Sequence, residues 1–410
     1  MSGSDTDKKL RVVIVGAGIA GVSAAEAAHS AAPETDITLI SEEKNPPYFR
    51  MNLTRYLAGE LDRTRLDLHK FEWYLQNHIK LILDRTVTVI NPAEHTVTTS
   101  TGDVIPYDKL ILTAGATPFV PPFAGKEKKG VQTVRTLDDA DAILNACQDH
   151  AEVVCIGGGL LGLETAGAIA KRGAKVTVVE ALDWLLPRQL DRTGSLILQE
   201  NIEAMGIKVI VPGKTKEIVG ESKVSGVLLE DGTLLPATLV VVSAGIAPNL
   251  GLAKAAGLAV NRGILVSDHM ETSAPDIFAA GDIAEHHSRV YGLWAPAKSM
   301  GTVAGKAAIG KPVTFPGDPP SAKLKVLGID MFSIGQFAPS EPSDFLVAQA
   351  SEGNYAAFLF RSGLMIGAIL LGDASWSAEV KQAVEDKRDF SEELKGKLRV
   401  KHIKKILTGF

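Results

Sequence analysis

One pattern constrains this chain more than any other. Four apolar, mostly β-branched residues, Val12-Val13-Ile14-Val15, run into Gly16, Gly18 and Gly21 and then into an alanine-rich stretch ending near Ala28. A continuous Val/Ile run reads as a parallel strand buried on both faces, and the alanine-rich stretch reads as a helix. Each glycine has its own reason. Gly16 permits the tight strand-to-helix turn, Gly18 lets backbone approach a pyrophosphate, and Gly21 lets the helix lie close on the strand. Free N–H groups at the helix start favour phosphate charge. A lone GxGxxG is weak, but this one lies between a strand and a helix, and it recurs. Residues 153–170 repeat strand, glycines and helix, with Gly157, Gly159 and Gly162 each 141 residues after its counterpart. Ile19 and Ala20 in the first motif, and Leu160 and Leu161 in the second, open the helices and count with the glycines as cofactor contacts. The duplication predicts an α/β fold with two Rossmann-like units, each taking a dinucleotide, placed so that electrons pass between them.

The chain has 410 residues, 45% of them hydrophobic, enough for two or three domains with large cores. A formal net charge of −5 offers nothing global to nucleic acid. No apolar run approaches the roughly 20 residues needed to span a bilayer. The polar start, MSGSDTDKKL, lacks the apolar centre of a secretory signal. Two cysteines, Cys147 and Cys155, cannot build a disulfide framework. The expected compartment is the cytoplasm, the expected state a monomer or homodimer, and no metal site is expected.

Residues 37–40, ITLI, read as the second strand of the first unit, whose end is the usual place for a carboxylate that binds a ribose hydroxyl. Ser41 falls there and Glu42 follows it, so Glu42 is the expected ribose ligand. Residues 45–60, NPPYFRMNLTRYLAGE, carry two prolines, three aromatics and two arginines, the content of a loop that lines a ligand. In the second unit the strand 176–179 ends at Glu180. A carboxylate there pairs with both ribose hydroxyls and repels a 2′-phosphate, which favours NADH over NADPH. The last ~90 residues show alternating patterns at 331–334, 356–360 and 365–370, then helices, and form a separate unit.

With these residues in view the chain resembles the two-dinucleotide flavoprotein reductases: rubredoxin reductases, the flavoprotein half of NADH nitrite reductases, and ferredoxin reductases of ring-hydroxylating dioxygenases. The resemblance runs along the whole chain. It implies FAD on the first glycine motif and NAD on the second. It implies a discontinuous FAD-binding domain of residues 1–115 and 244–320, an NAD-binding domain of 116–243, and a small α+β C-terminal domain of 321–410. The loop Thr113-Ala114-Gly115 matches the family's second FAD contact. Asp282, after Gly281, matches the third, where a carboxylate meets the ribityl chain. Val87 matches an adenine contact, and Arg50 and Trp294 are counted with the FAD ligands. Residues from Gly245 to Asn249 resemble the segment between flavin and nicotinamide sites, departing at Ala247, where arginine is common.

Sulfur is the main departure. Disulfide reductases on this fold carry CxxxxC after the first Rossmann unit, and NADH oxidases and peroxidases carry one cysteine there. Here the segment 50–55 reads RMNLTR. Cys155 lies in a core strand and Cys147 in an expected helix, so both are inert and thiol chemistry is not expected. The same segment resembles a ferredoxin-reductase pattern in which a cation beside the flavin N5 pairs with a glutamate of the NAD-motif helix. Arg55 and Glu164 occupy those positions, and an arginine opposite Glu164 would satisfy a carboxylate on an apolar helix. The implied activity is FAD-dependent electron exchange between NADH and a one-electron carrier of the rubredoxin, ferredoxin or iron–sulfur type, in either direction. Alternatives are an oxidase using oxygen or a small acceptor, and an NADH sensor of the apoptosis-inducing-factor type. The tail from Lys395 to Phe410 holds six cations and no acid. It is expected to dock an acidic partner, or else to cap the C-terminal domain.

Overall fold

The apolar run at 12–15 becomes the centre of a five-stranded, all-parallel sheet in the order Ile277–Ala279, Lys109–Leu112, Arg11–Val15, Asp36–Ile40, Ile79–Ile82. The computed structural model describes residues 9–147, 150–317 and 321–409. Val12, Val13, Ile14 and Val15 are all buried, as strands covered on both faces require. The Ile19–Ala31 helix covers one face and packs on the Trp294–Ala308 helix. Those two helices touch backbone to backbone. A Cβ at Gly301 would lie 2.1 Å from Ala20 O, and one at Gly305 would lie 2.2 Å from Ala24 O. A three-stranded antiparallel sheet, Val87–Asn91, Thr96–Thr99 and Val104–Pro106, interrupts the parallel sheet's sequence order.

A second five-stranded parallel sheet runs Lys208–Ile210, Lys175–Val179, Glu152–Ile156, Leu239–Val242, Val131–Gln132. It too is interrupted by three antiparallel strands, Thr215–Val219, Gly226–Leu229 and Leu234–Pro236. An antiparallel sheet of five strands closes the chain, in the order Ser321–Val326, Ile329–Gly335, Leu364–Leu371, Asn354–Arg361, Asp344–Ser351. The three patterns read from sequence are its inner strands. The two edge strands were not expected; past Asp344, the strand Asp344–Ser351 is exposed on both faces except at Val347, so no apolar alternation marks it. The helices Ser377–Glu385 and Val400–Thr408 join this sheet around Phe358, Phe360, Trp376, Val380, Phe390 and Ile403.

The described residues divide into two compact units. Residues 9–53, 61–119 and 246–317 form the first. Residues 54–60, 120–245 and 321–409 form the second, so the C-terminal sheet and the second Rossmann sheet share one unit. Within it Tyr355 donates to Asp191 at 2.5 Å. Residues 54–60 also belong to it. Arg172 Nε donates to Leu57 O at 2.8 Å, and Tyr56 donates to Asp141 at 2.7 Å. Residues 318–320, which hold the expected boundary between the first and C-terminal domains, lie outside the described residues. Among the described residues, no helix is long and apolar enough to cross a membrane.

The tail's apolar residues are used inside the chain. Ile403 is buried, and Leu398, Val400, Ile406 and Leu407 pack against the C-terminal core. Lys404 pairs with Asp373 at 2.8 Å and sits 5.6 Å from the Trp376 ring centroid. Phe410 lies outside the described residues.

Candidate functional site

The first glycine turn is built by three strands at once. Gly16 has φ +105° and donates to Ile40 O at 2.8 Å, while Thr113 N donates to Val15 O at 2.8 Å. A Cβ at Gly16 would lie 2.4 Å from Thr113 O, and one at Gly21 would lie 1.9 Å from Gly16 O. Both positions therefore exclude side chains. Gly18 differs: its φ is −73°, and a Cβ there would meet nothing within 4 Å. It is the N-cap of the Ile19–Ala31 helix and supplies no side-chain cap, so the first-turn N–H groups have no side-chain acceptor from it. An open space above uncapped N–H groups, at the positive end of a helix, accepts phosphate oxygens.

Around this turn, Glu42 stands exposed past the second strand, and Ser41 is buried. Glu43, not singled out from the sequence, is the fixed carboxylate. It accepts from Tyr48 Oη at 2.7 Å and from Arg50 at 2.6 Å. Its engagement depends on the chain folding back through 44–50, which no local pattern announces. Burial works against the charge on Arg50, but Glu43, Tyr48 and Asp282 together hold its pKa above the ordinary value. Asp282 lies in the short turn Gly281–Ile283, just past the edge strand Ile277–Ala279. Trp294 opens the Trp294–Ala308 helix and stacks on Phe49 with ring centroids 6.3 Å apart. The Trp294 Nε1 donor is buried and has no protein partner. Val87 is buried in its strand, and Asn249 Nδ2 donates to Ala114 O at 2.8 Å. An orphaned indole N–H, a cation held between carboxylates and an open uncapped turn fit a flavin dinucleotide.

The second turn repeats the first. Gly157 has φ +115° and donates to Val179 O at 2.8 Å, and Ser243 N donates to Ile156 O at 2.8 Å. A Cβ at Gly157 would lie 2.4 Å from Ser243 O, one at Gly162 would lie 2.0 Å from Gly157 O, and one at Gly159 would meet nothing within 4 Å. Gly159 is the uncapped N-cap of the Leu160–Ala170 helix, with Leu160 half-buried and Leu161 exposed. Glu180 is 8% exposed and already oriented: Oε2 accepts from Gly158 N at 2.7 Å and Oε1 from Leu182 N at 2.8 Å. Gly245, at φ +119°, has open space over it. The segment after it, Ile246–Pro248, belongs to the first unit and pairs antiparallel with Ala116–Pro118. A second dinucleotide fits this turn on the same grounds.

The expected pair of Arg55 and Glu164 is not made. The Leu53–Leu57 helix ends in a reversal at Gly59, φ +73°, which returns Glu60 to the Arg55 backbone; Glu60 N donates to Arg55 O at 2.9 Å. Arg55, 53% exposed, pairs with Glu60 at 3.3 Å, and Glu60 also pairs with Lys171 at 2.7 Å. Glu164 instead accepts from Thr54 Oγ1 at 3.0 Å. Burial pushes its carboxyl above the ordinary range, the Thr54 bond pulls it back, and Glu60 adds to the rise. Thr54 was missed because it carries no charge and lies one residue from the arginine that drew attention. Cys155 is buried, and burial pushes its thiol up to about 12. Cys147 is half-buried at the end of the Leu137–Ala146 helix.

The pyridine nucleotide-disulphide oxidoreductase family model matches residues 10–301, and the rubredoxin NAD+ reductase C-terminal domain matches 320–388. A nitrite reductase [NAD(P)H] of Bacillus subtilis (strain 168) is 38% identical over 389 residues, 94% of this chain, and this chain spans about half of its length (48%). An NADH-rubredoxin oxidoreductase of Clostridium acetobutylicum is 34% identical over 385 residues, covering 93% of this chain and 96% of that protein. Among solved structures, the covalent putidaredoxin reductase–putidaredoxin complex contains a chain that aligns with a TM-score of 0.86 at 28% identity, covering 98% of this chain and all of that one (100%).

Proposed function

The chain belongs to the pyridine nucleotide-disulphide oxidoreductases, whose cofactors are FAD and NAD(H), and on that premise we propose that it exchanges electrons between NADH and a small one-electron carrier without a thiol step. FAD, when bound, supplies the capacity to take two electrons as hydride from NADH and to pass them on singly. Gly16, Gly18 and Gly21, with the N–H groups of Ile19 and Ala20, hold its pyrophosphate in this reading. Glu42 takes a ribose hydroxyl, Val87 lies at the adenine, and Thr113 to Gly115, Asp282, Arg50 and Trp294 orient the remainder. Gly157, Gly159 and Gly162, with Leu160 and Leu161, hold the pyrophosphate of NADH, Glu180 binds its ribose, and Gly245 gives the nicotinamide end backbone room. Glu164 is the carboxyl of the second unit available to face the reacting rings, and Arg55, through Glu60, is a positioning residue rather than its counter-ion. The domain division proposed with this reading is 1–115 and 244–320 for FAD, 116–243 for NAD and 321–410 for the C-terminal domain.

One observation carries the proposal: the same open glycine turn is built twice, while Cys155 is buried with its thiol held protonated. A redox path through an enzyme thiol has no support, whereas two dinucleotides do. Rubredoxin, ferredoxin or an iron–sulfur subunit is the proposed acceptor, on the names of the relatives. Exposed Lys397, Lys401 and Lys405 of the tail are proposed to speed its approach. The test is anaerobic stopped-flow mixing of the flavin-loaded Cys147→Ser, Cys155→Ala double variant with NADH, then with rubredoxin, ferredoxin or oxygen. Fast bleaching by NADH, fast return with an iron–sulfur carrier and slow return with oxygen support the reading. A folded, yellow variant that NADH does not reduce, or one that only oxygen reoxidises quickly, overturns it.

A further inference from the structure

We propose that Asp268, His286 and His287 form a zinc site in the first unit, two imidazoles and one carboxylate closing on a divalent cation that ties two surface turns together. Nε2 of His286 lies 2.8 Å from Asp268 Oδ1, and Nε2 of His287 lies 3.0 Å from the same oxygen. All three donor atoms lie within 4.8 Å of one another. Ligands on a tetrahedral zinc, at 2.0–2.1 Å from the metal, stand about 3.3 Å apart. Two of these separations are hydrogen-bond contacts, shorter than that spacing, so an entering cation would replace the shared protons and move the donors apart by about 0.3–0.5 Å.

The scaffold explains the convergence. The Ala284–His286 strand pairs in parallel with Ile264–Val266, setting His286 opposite Val266. Asp268 follows two residues beyond that strand. His287 and Ser288 have φ of 48° and 61°, and the turn they make is closed by backbone bonds of 3.0 Å in both directions between His286 and Arg289. That turn brings the two imidazoles parallel, with centroids 4.0 Å apart and planes 20° apart. Both Nε2 atoms thereby reach one carboxylate oxygen, and because stacked rings cannot both aim in-plane lone pairs at a single ion, the exposed His287 ring is the one that turns to complete the site.

His286 is the inner donor. It is wholly buried at 0% exposure, and its Nδ1 has no partner. Phe315 packs edge-on against the ring at 5.1 Å. The nitrogen that faces Asp268 and His287 is Nε2, and a cation there would take the place of the proton it shares with Asp268. Asp268 and His287 are 51% and 71% exposed, which leaves an entry path and room for a water ligand. Two imidazoles with one carboxylate suit zinc rather than the all-oxygen sets of calcium and magnesium or the thiolate sets of softer ions.

The experiment uses the full-length, flavin-loaded protein without a histidine tag, dialysed against chelator and titrated with zinc chloride by calorimetry, with thermal melts in parallel. Wild type should bind one zinc per chain in the micromolar range and melt higher with zinc present, because a cation that binds only the folded state stabilises it. His287→Ala and Asp268→Asn should each bind at least ~tenfold more weakly, a change of 1.4 kcal/mol, and lose the melting shift. His287→Ala removes an exposed side chain, so its metal-free melt should equal wild type. Micromolar binding unchanged in both variants, or no micromolar binding by wild type, overturns the site.

Discussion

The two glycine turns are nearly superposable in their bonding and differ almost entirely in what surrounds them. Gly16 and Gly157 make the same 2.8 Å bond to the end of the next strand, and both would drive a Cβ to 2.4 Å from a carbonyl just past a neighbouring strand, Thr113 O after Lys109–Leu112 and Ser243 O after Leu239–Val242. Gly18 and Gly159 both leave open space. Beyond the second strand, however, the first unit places buried Ser41 and exposed Glu42, while the second places Glu180, tied to the loop's own N–H. The first helix packs on a glycine-bearing helix from much later in the chain. The second is crossed by Leu327, whose Cδ2 lies 1.6 Å from where a Cβ on Gly167 would be. The fifth strand comes from after the core in the first sheet, at Ile277–Ala279, and from before it in the second, at Val131–Gln132. The phosphate cradle is a backbone device that tolerates little change. Identity of the ligand is left to side chains outside it.

The sharpest way to break the comparison is to place a side chain in both cradles. A Cβ at Gly18 or Gly159 meets no protein atom within 4 Å, so a valine there should leave folding intact and displace the ligand. Gly18→Val should purify with little flavin. Gly159→Val should stay yellow but need at least ~tenfold more NADH, a loss of 1.4 kcal/mol or more. Reversed phenotypes would exchange the assignments, and full flavin with normal NADH use in both would end them.

Packing behind the two helices offers a second contrast. Alanine at Gly305 would press on the backbone of its neighbour, at 2.2 Å from Ala24 O, whereas alanine at Gly167 would press on the mobile end of Leu327. Helix propensity gains are the same at both. Urea unfolding should show Gly305→Ala costing about 1–3 kcal/mol net and Gly167→Ala clearly less. Equal losses would mean that Leu327 is as rigid as backbone.

Glu180 marks the difference in nucleotide choice. Losing two charge-assisted bonds and gaining repulsion should make NADPH worse by ~2–4 kcal/mol, roughly 30- to 1000-fold in kcat/KM. Glu180→Ala should erase most of that preference, and equal use of both nucleotides by wild type would refute the role.

Thr54 and Glu164 test the second unit alone. A carboxyl whose folded pKa is raised binds its proton more readily when folded. Its cost is therefore absent below the unfolded value of about 4.3 and grows as pH rises through the folded value. Thr54→Val removes the bond that restrains this rise. The variant should lose ~1–2 kcal/mol at about pH 8 and less at about pH 5. A pH-independent loss would place the effect in packing instead.

The smallest effect concerns Arg55. A double-mutant cycle of Arg55 with Glu60 should show ~0.2–1 kcal/mol of coupling, as exposed pairs do, while Arg55 with Glu164 should be additive within ~0.5 kcal/mol. Coupling of the second pair alone would restore the pairing expected from the sequence.

Much of this molecule was written locally. Residues 12–21 and 153–162 announce strand, turn and helix because the turn itself forbids side chains, and a forbidden side chain leaves a glycine that can be read. The inner strands 331–334, 356–360 and 365–370 show for a related reason: a buried pleated surface selects apolar residues along it. Absence of a thiol at 50–55 is equally legible, since chemistry needs the atom to be there. What the tertiary structure alone decided were choices among partners. Arg55 had two carboxylates to choose from and took Glu60, because the Gly59 reversal delivered it. Glu164 took a hydroxyl, Glu43 took Arg50, and two neighbouring histidines turned to one aspartate in the turn after another strand. Side-chain charge has range but no address, so its destination is set by where the backbone brings the other charges.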